Sequence, residues 1–113
     1  MEPGEKLAAR LRPLSRRLVL GREVRVATGF RSRLLGLAFL SRAAVGAGLL
    51  IPRCASVHTF GMRFRLDLVF LDGEGRVLAV RRRVPPRRFV WQRAAAAVLE
   101  IPSEGGESAA PGT

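Results

Sequence analysis

The sequence predicts an α+β domain: a small, mostly antiparallel β-sheet or partly closed barrel with one short packed helix. Three features lead there. Branched and apolar residues recur with strand character over residues 18–27, 49–52, 66–83 and 97–101. One stretch, 30–38, instead carries Phe30, Leu34, Leu37 and Ala38 at helical spacing. Between two strand-like runs stands Asp72-Gly73-Glu74-Gly75, a turn that makes 66–72 and 76–83 an antiparallel hairpin. At 113 residues the chain is long enough for one hydrophobic core and too short for two.

Taken in order, residues 1–17 form a basic arm. Leu7, Leu11, Leu14 and Leu18 recur there at helical spacing, interrupted by Pro13. A single globular domain spans 18–102. It begins with LVLGREVRVA, where Val24 and Val26 face one way and Glu23 and Arg25 the other, as in a half-buried strand. Thr28 offers an N-cap to the helix after it. Gly36 costs that helix about 1 kcal/mol against alanine, which is tolerable if it lets the helix approach a sheet closely. SRAAVGAG, residues 41–48, reads as a loop, and GLLIP as a short strand closed by Pro52. After the hairpin, Pro85 and Pro86 open an irregular segment through Trp91. The alanines 94–97 favour helix, while the branched close of AVLEIP favours a strand over about 97–101; both readings stand. The final residues, 103–113, read as a disordered tail.

Net charge is +11, and every basic residue except Lys6 is arginine. Such a surface attracts phosphate backbones and other anions, although an arginine skew also arises from coding composition. Cys54 stands alone and forms no internal disulfide, so a cytoplasmic location is the expectation. Arginines and Pro13 break the apolar run over 7–20, and no stretch reaches the ~18 apolar residues that span a bilayer.

The stretch CASVHTFGMRFRLDLVFLD, 54–72, holds the only Cys and the only His. In its strand half the pleat puts Leu66, Leu68 and Phe70 on one face and Asp67, Val69 and Leu71 on the other. Asp67 therefore enters on an apolar face, where a carboxylate requires an arginine or several main-chain amides. Arg63, Arg65 and Arg33 are the arginines considered for that role. Cys54 and His58 with one carboxylate fall short of the four ligands zinc favours, so neither metal nor other cofactor is expected. A Cys–His nucleophile pair is chemically conceivable, yet nothing in the spacing fixes its geometry. Further on, Arg87, Arg88, Phe89, Trp91 and Arg93 interleave base and ring in a way that suits unpaired nucleic-acid strands, but Phe89 and Trp91 two apart also suit a strand facing the core.

The segments VRVATGFRSRLLGLAFL, GLLIP, SVHTFGMRFRLDLVFLDGEGRVLAV and AVLEIP, in that order over residues 24–102, resemble the domain of unknown function 192 family of prokaryotic proteins. The family commonly shows Trp-Met-Lys-Asn-Thr before Pro-Leu-Asp. Here His58-Thr59-Phe60-Gly61-Met62 stands in its place, Arg65 replaces the proline, and Asp67 matches the aspartate. The resemblance implies a small antiparallel β domain with a short helix, and no activity. Family members typically continue past the Leu-Glu segment to a Gly-Asp-containing strand. The departure here implies either an open sheet edge or a segment covering it.

Three functional readings follow. The first is a non-enzymatic ligand-binding or accessory domain, in which the loop 54–64 backed by Asp67 lines a pocket for an anionic or polar small ligand. Its candidate residues are Cys54, His58, Thr59, Arg63 and Asp67. The second is a nucleic-acid-associated basic protein using Arg87, Arg88, Trp91 and Arg93. The third is an enzyme using Cys54 or His58. Convergence of the candidates on one cavity separates the first reading from the others.

Overall fold

A computed structural model describes residue 11 and residues 14–104, the side chains of Phe30 and Arg31 excepted. Leu7 of the predicted arm and residues 105–113 of the predicted tail lie outside the described residues.

Among the described residues are eight strands and two short helices: β1 (Arg16–Val19), β2 (Arg22–Val26), α1 (Phe30–Leu35), α2 (Arg42–Val45), β3 (Leu49–Pro52), β4 (Ser56–His58), β5 (Leu66–Leu71), β6 (Val77–Val84), β7 (Phe89–Trp91) and β8 (Ala97–Pro102). Six strands form one mixed sheet in the order β1-β2-β3-β8-β5-β6, and β4 pairs with β7 separately. All pairs are antiparallel except β2 with β3. That parallel pair needs a crossover, and both helices lie within it. The sheet is open: β1 and β6 are its two edges, so the barrel alternative is set aside.

Several local expectations change. The run 18–27 is not one strand. Leu20 and Gly21, both at positive φ, turn β1 back on β2 in a tight hairpin, a geometry that glycine accepts at no steric cost. Leu18 is consequently an exposed strand residue, whereas Leu11 is buried and Leu14 packs on the core. Gly29, not Thr28, caps α1, with no side-chain cap bond. Because α1 ends at Gly36, Leu37 and Ala38 reach the core from a turn and Leu34 is exposed. Residues 42–45 of the predicted loop form the second helix.

The hairpin turn is as expected: Asp72 Oδ1 accepts hydrogen bonds from the Glu74 and Arg76 main-chain N–H groups at 2.8 and 2.9 Å. AVLEIP is a strand rather than a helix, and it is the central one, paired with β3 on one side and β5 on the other. Of the two alternatives, an open edge or a covered one, β8 shows the second: β3 and β5 cover both its sides.

Burial follows the pleat. Leu49, Ile51, Leu66, Leu68, Phe70 and Val98 meet Leu37, Leu40 and Val45 of the crossover and Val57 of β4 in the larger core cluster. Val24, Val26, Leu50, Val69, Leu71 and Leu99 form a smaller one on the opposite face. Asp67 lies on that second face, as its parity required. Its Oδ1 accepts from the Arg83 main-chain N–H at 2.9 Å and the Ser103 hydroxyl at 2.7 Å, and Arg82 approaches Oδ2 at 3.8 Å. The register shift between Leu66 and Leu68 in the β5–β6 pair exposes the Arg83 N–H to this carboxylate. Asp67 thus ties together three segments: β5, the end of β6 and the residue after β8. Replacing Asp67 with Ala strands those donors and should lower unfolding free energy by about 1–3 kcal/mol in urea titrations. A loss below about 0.5 kcal/mol would show that water satisfies the donors equally well.

Candidate ligand site beside the small sheet

The β4–β7 pair is registered Ser56 to Trp91, Val57 to Val90 and His58 to Phe89. Directly opposed residues share a face, so Val57 and Val90 turn to the core while Ser56, His58, Phe89 and Trp91 turn outward. Phe89 and Trp91 were the ones expected to point inward. Instead they are 61% and 65% exposed, because strand parity gives the core position to Val90 between them.

Between this outward face, the end of α1 and the inner face of β8 lies a cavity of about 220 Å³, lined by Arg33, Gly36, Ser56, His58, Phe89 and Glu100 among others. Three of these side chains hold a buried polar atom without a partner: Arg33 Nε, His58 Nδ1 and Glu100 Oε1. Buried polar groups are nearly always satisfied, so three orphans on one cavity is an unusual concentration. Three larger hollows, of about 390 Å³ beside α2, about 430 Å³ beside Asp67 and about 380 Å³ beside the Leu20 turn, contain none of them. Volume alone therefore does not pick out the site.

Each group is fixed by its other bonds. The His58 ring contacts the Leu34 carbonyl through Nε2 at 2.9 Å, satisfying an otherwise open carbonyl near the end of α1. A carbonyl only accepts, so Nε2 carries the proton of this bond, and Nδ1 is left buried without a partner. Arg33 donates from a terminal nitrogen to the Arg53 carbonyl at 2.6 Å, which leaves Nε–H directed elsewhere. Glu100 stands opposite Leu68 on one side and Leu49 on the other in the middle of the sheet and is only 2% exposed. Burial pushes its carboxyl from 4.5 up to about 8, against a smaller lowering by the Leu37 main-chain N–H. At neutral pH Glu100 is thus chiefly a neutral acid, able to donate as well as accept.

Gly36 makes the arrangement sterically possible. Its φ is +54°, and a Cβ built there would sit 2.7 Å from Glu100 Oε1. The close approach anticipated for this glycine is real, made from the helix terminus and toward a specific side chain.

Of the five ligand candidates read from sequence, His58 lines the cavity. Cys54 is partly buried and donates from Sγ to the Ser56 carbonyl at 2.9 Å. The Thr59 hydroxyl is fully buried between two chain segments, donating to the Pro85 carbonyl at 2.7 Å and accepting from the Arg88 N–H at 2.8 Å. Arg63 is exposed, and Asp67 lies across the sheet. The five do not converge. Glu100 and Arg33 take their place; Arg33 had been considered only as a partner for Asp67. The parity argument that singled out Asp67 applies equally to Glu100 in AVLEIP, where it stands on one face with Val98.

Because the Glu100 carboxyl is raised in the folded state, folding loses stability as the unfolded chain ionises first. Stability should fall as pH rises from about 4.5 to about 8, at up to ~1.4 kcal/mol per pH unit, and level off above. Glu100→Gln should flatten that slope in denaturation curves measured across the range; equal slopes in both proteins would place an ionised carboxylate at this position. Gly36→Ala should be destabilised at every pH, by more than the ~1 kcal/mol that an ordinary Gly-to-Ala change gains.

The comparisons bear on fold and family. Two solved structures resemble the chain. One is a protein of unknown function from Novosphingobium aromaticivorans, with a TM-score of 0.61 and 22% identity over 72% of this chain; this chain spans 63% of its length. The other, from Sinorhizobium meliloti and named as a candidate transcription regulator, has a TM-score of 0.64 and 22% identity over 78% of each chain. Among curated proteins, none matches the chain. Among the described residues no helix is long and apolar enough to cross a membrane. A family model, described as an uncharacterised group, matches residues 15–109, and the chain belongs to that family, domain of unknown function 192.

Proposed function

We propose that the protein is a small-ligand-binding domain whose site is the cavity formed by Arg33, His58 and Glu100. The observation that carries this reading is that three side chains lining one half-open cavity each hold a buried polar atom without a partner, next to a backbone position that only glycine fills comfortably. Leaving such groups empty costs stability, typically about 1–3 kcal/mol each, unless something satisfies them. Arg33 Nε–H donates, the His58 ring offers Nδ1, and a protonated Glu100 donates or accepts. This set complements a planar polar group with adjacent acceptor and donor atoms, such as a carboxamide or the edge of a heterocycle. At about 220 Å³ the space falls below the usual range for drug-sized ligands, so a compact group fits it.

The reading is binding rather than turnover, since the three groups are directional hydrogen-bonding partners with no activated nucleophile among them. Cys54, which with His58 was one of the two residues offered for an enzymatic reading, spends its thiol on the Ser56 carbonyl.

Acetamide, acetate and inorganic phosphate serve as probes of the cavity. Titrated into isotopically labelled protein, acetamide should shift the amide resonances of Leu34, Gly36 and His58, with a weaker response to phosphate. In Glu100→Leu the acetamide response should drop at least fivefold while the spectrum stays dispersed. If no probe perturbs these residues, or if Glu100→Leu responds as strongly as the wild type, the cavity is not a ligand site.

A further inference from the structure

The cavity does not end at its polar floor. Phe89 is part of its wall, and Trp91 follows on the same outward face with ring centroids 6.1 Å apart and planes inclined by 52°. Phe60, 52% exposed, lies against the His58 ring at 6.1 Å on the other side. A small cavity, mainly apolar in its lining, thus opens onto exposed aromatic rings, which have no core to fill. An uncommitted aromatic pair in this position offers a stacking surface to a flat ring.

Charge around this face has one sign. Residues 24–66 contain no acidic residue, and neither do residues 75–99. Those two segments supply α1, β4 and β7. Arg87 and Arg88 precede Phe89, Arg93 follows Trp91, and Arg81 is drawn to the end of β7 by its bond to the Gln92 side chain at 3.2 Å. On the cavity side Arg33 is bonded to the carbonyl of exposed Arg53. The one carboxyl in the cavity is Glu100, buried at its floor.

Resting on the reading of the cavity as a ligand site, we infer that it receives one unpaired base of a single-stranded nucleic acid, the neighbouring base stacking on Phe89 and Trp91 and the phosphates following the flanking arginines. Base edges present the adjacent donors and acceptors that Arg33, His58 and Glu100 complement, and an unstacked base is compact and flat. A duplex cannot offer this, because its bases are stacked and paired. An anionic lipid surface would satisfy the arginines and rings but would leave the three polar atoms of the cavity unanswered, so a single strand is favoured.

Trp91 is the only tryptophan, so its fluorescence reports stacking directly. Short single-stranded oligonucleotides should quench it, and a matched duplex should not. With about three phosphates contacted, affinity should fall about twentyfold between 50 and 200 mM salt. By anisotropy of a labelled oligonucleotide, Phe89→Ala and Trp91→Ala should each weaken binding between about fivefold and a hundredfold while leaving the thermal transition near that of wild type. Glu100→Gln should change the ranking among oligo-A, -C, -G and -U rather than weaken all equally. Absence of quenching, equal binding of duplex and single strand, an unchanged ranking in Glu100→Gln, or a response to anionic phospholipid vesicles alone would overturn the proposal. If acetamide still shifts Gly36 and His58 in that case, the small-ligand reading survives; if it does not, both fall.

Discussion

A carboxyl buried in the middle of a β-sheet is the constraint on which the rest of this structure turns. Glu100 occupies the central strand, flanked by β3 and β5, at a position where the pleat faces the main core. A full charge there would be prohibitive, and the carboxyl remains neutral over most of the physiological range because burial raises it to about 8. What surrounds it is arranged accordingly. The crossover brings α1 over this face, α1 ends at Gly36 so that backbone rather than a side chain meets the carboxyl, and the Leu37 N–H supplies one bond. His58 then closes the end of the helix through the Leu34 carbonyl. One oxygen, one imidazole nitrogen and one guanidinium nitrogen are left over, on three residues that line one cavity.

The two acidic residues on apolar strand faces illustrate opposite solutions to one problem. Asp67 is partly buried and fully answered, by a main-chain amide made available through a β-bulge and by the Ser103 hydroxyl. It behaves as a structural tie. Glu100 is more deeply buried and only partly answered. Natural proteins keep such incompletely satisfied groups mainly where something else completes them, and this difference, more than cavity size, is why the proposal centres on Glu100.

Much of this fold could be read from the residues. The 66–83 hairpin with its Asp72 turn, the strand at GLLIP and the close approach of Gly36 followed from alternation, turn chemistry and the geometry of glycine. Elsewhere two local signals competed. Residues 18–27 alternate across Gly21, so one strand and a hairpin look alike until the positive φ of Leu20 and Gly21 decides. Phe89 and Trp91 were expected inside because their two-residue spacing puts them on one strand face; parity is relative, and Val90 took the core. The centrality of β8 depends on pairings with strands far away in sequence, which no local pattern encodes. Of the residues named for a ligand from the sequence, only His58 lines the cavity. Its partners Arg33 and Glu100 lie 25 and 42 positions from His58 and meet it only through the sheet order.

The central claim is that Glu100 is a neutral, buried acid facing a cavity. A carbon-detected NMR titration of its side-chain carboxyl, with Glu100→Gln identifying the resonance, tests it most directly. A single transition near pH 8, moving when acetamide is added, is the predicted result. A transition near 4.5, indifferent to the probe, would mean that the carboxyl is charged and solvated, and the account of the site built on it would not stand.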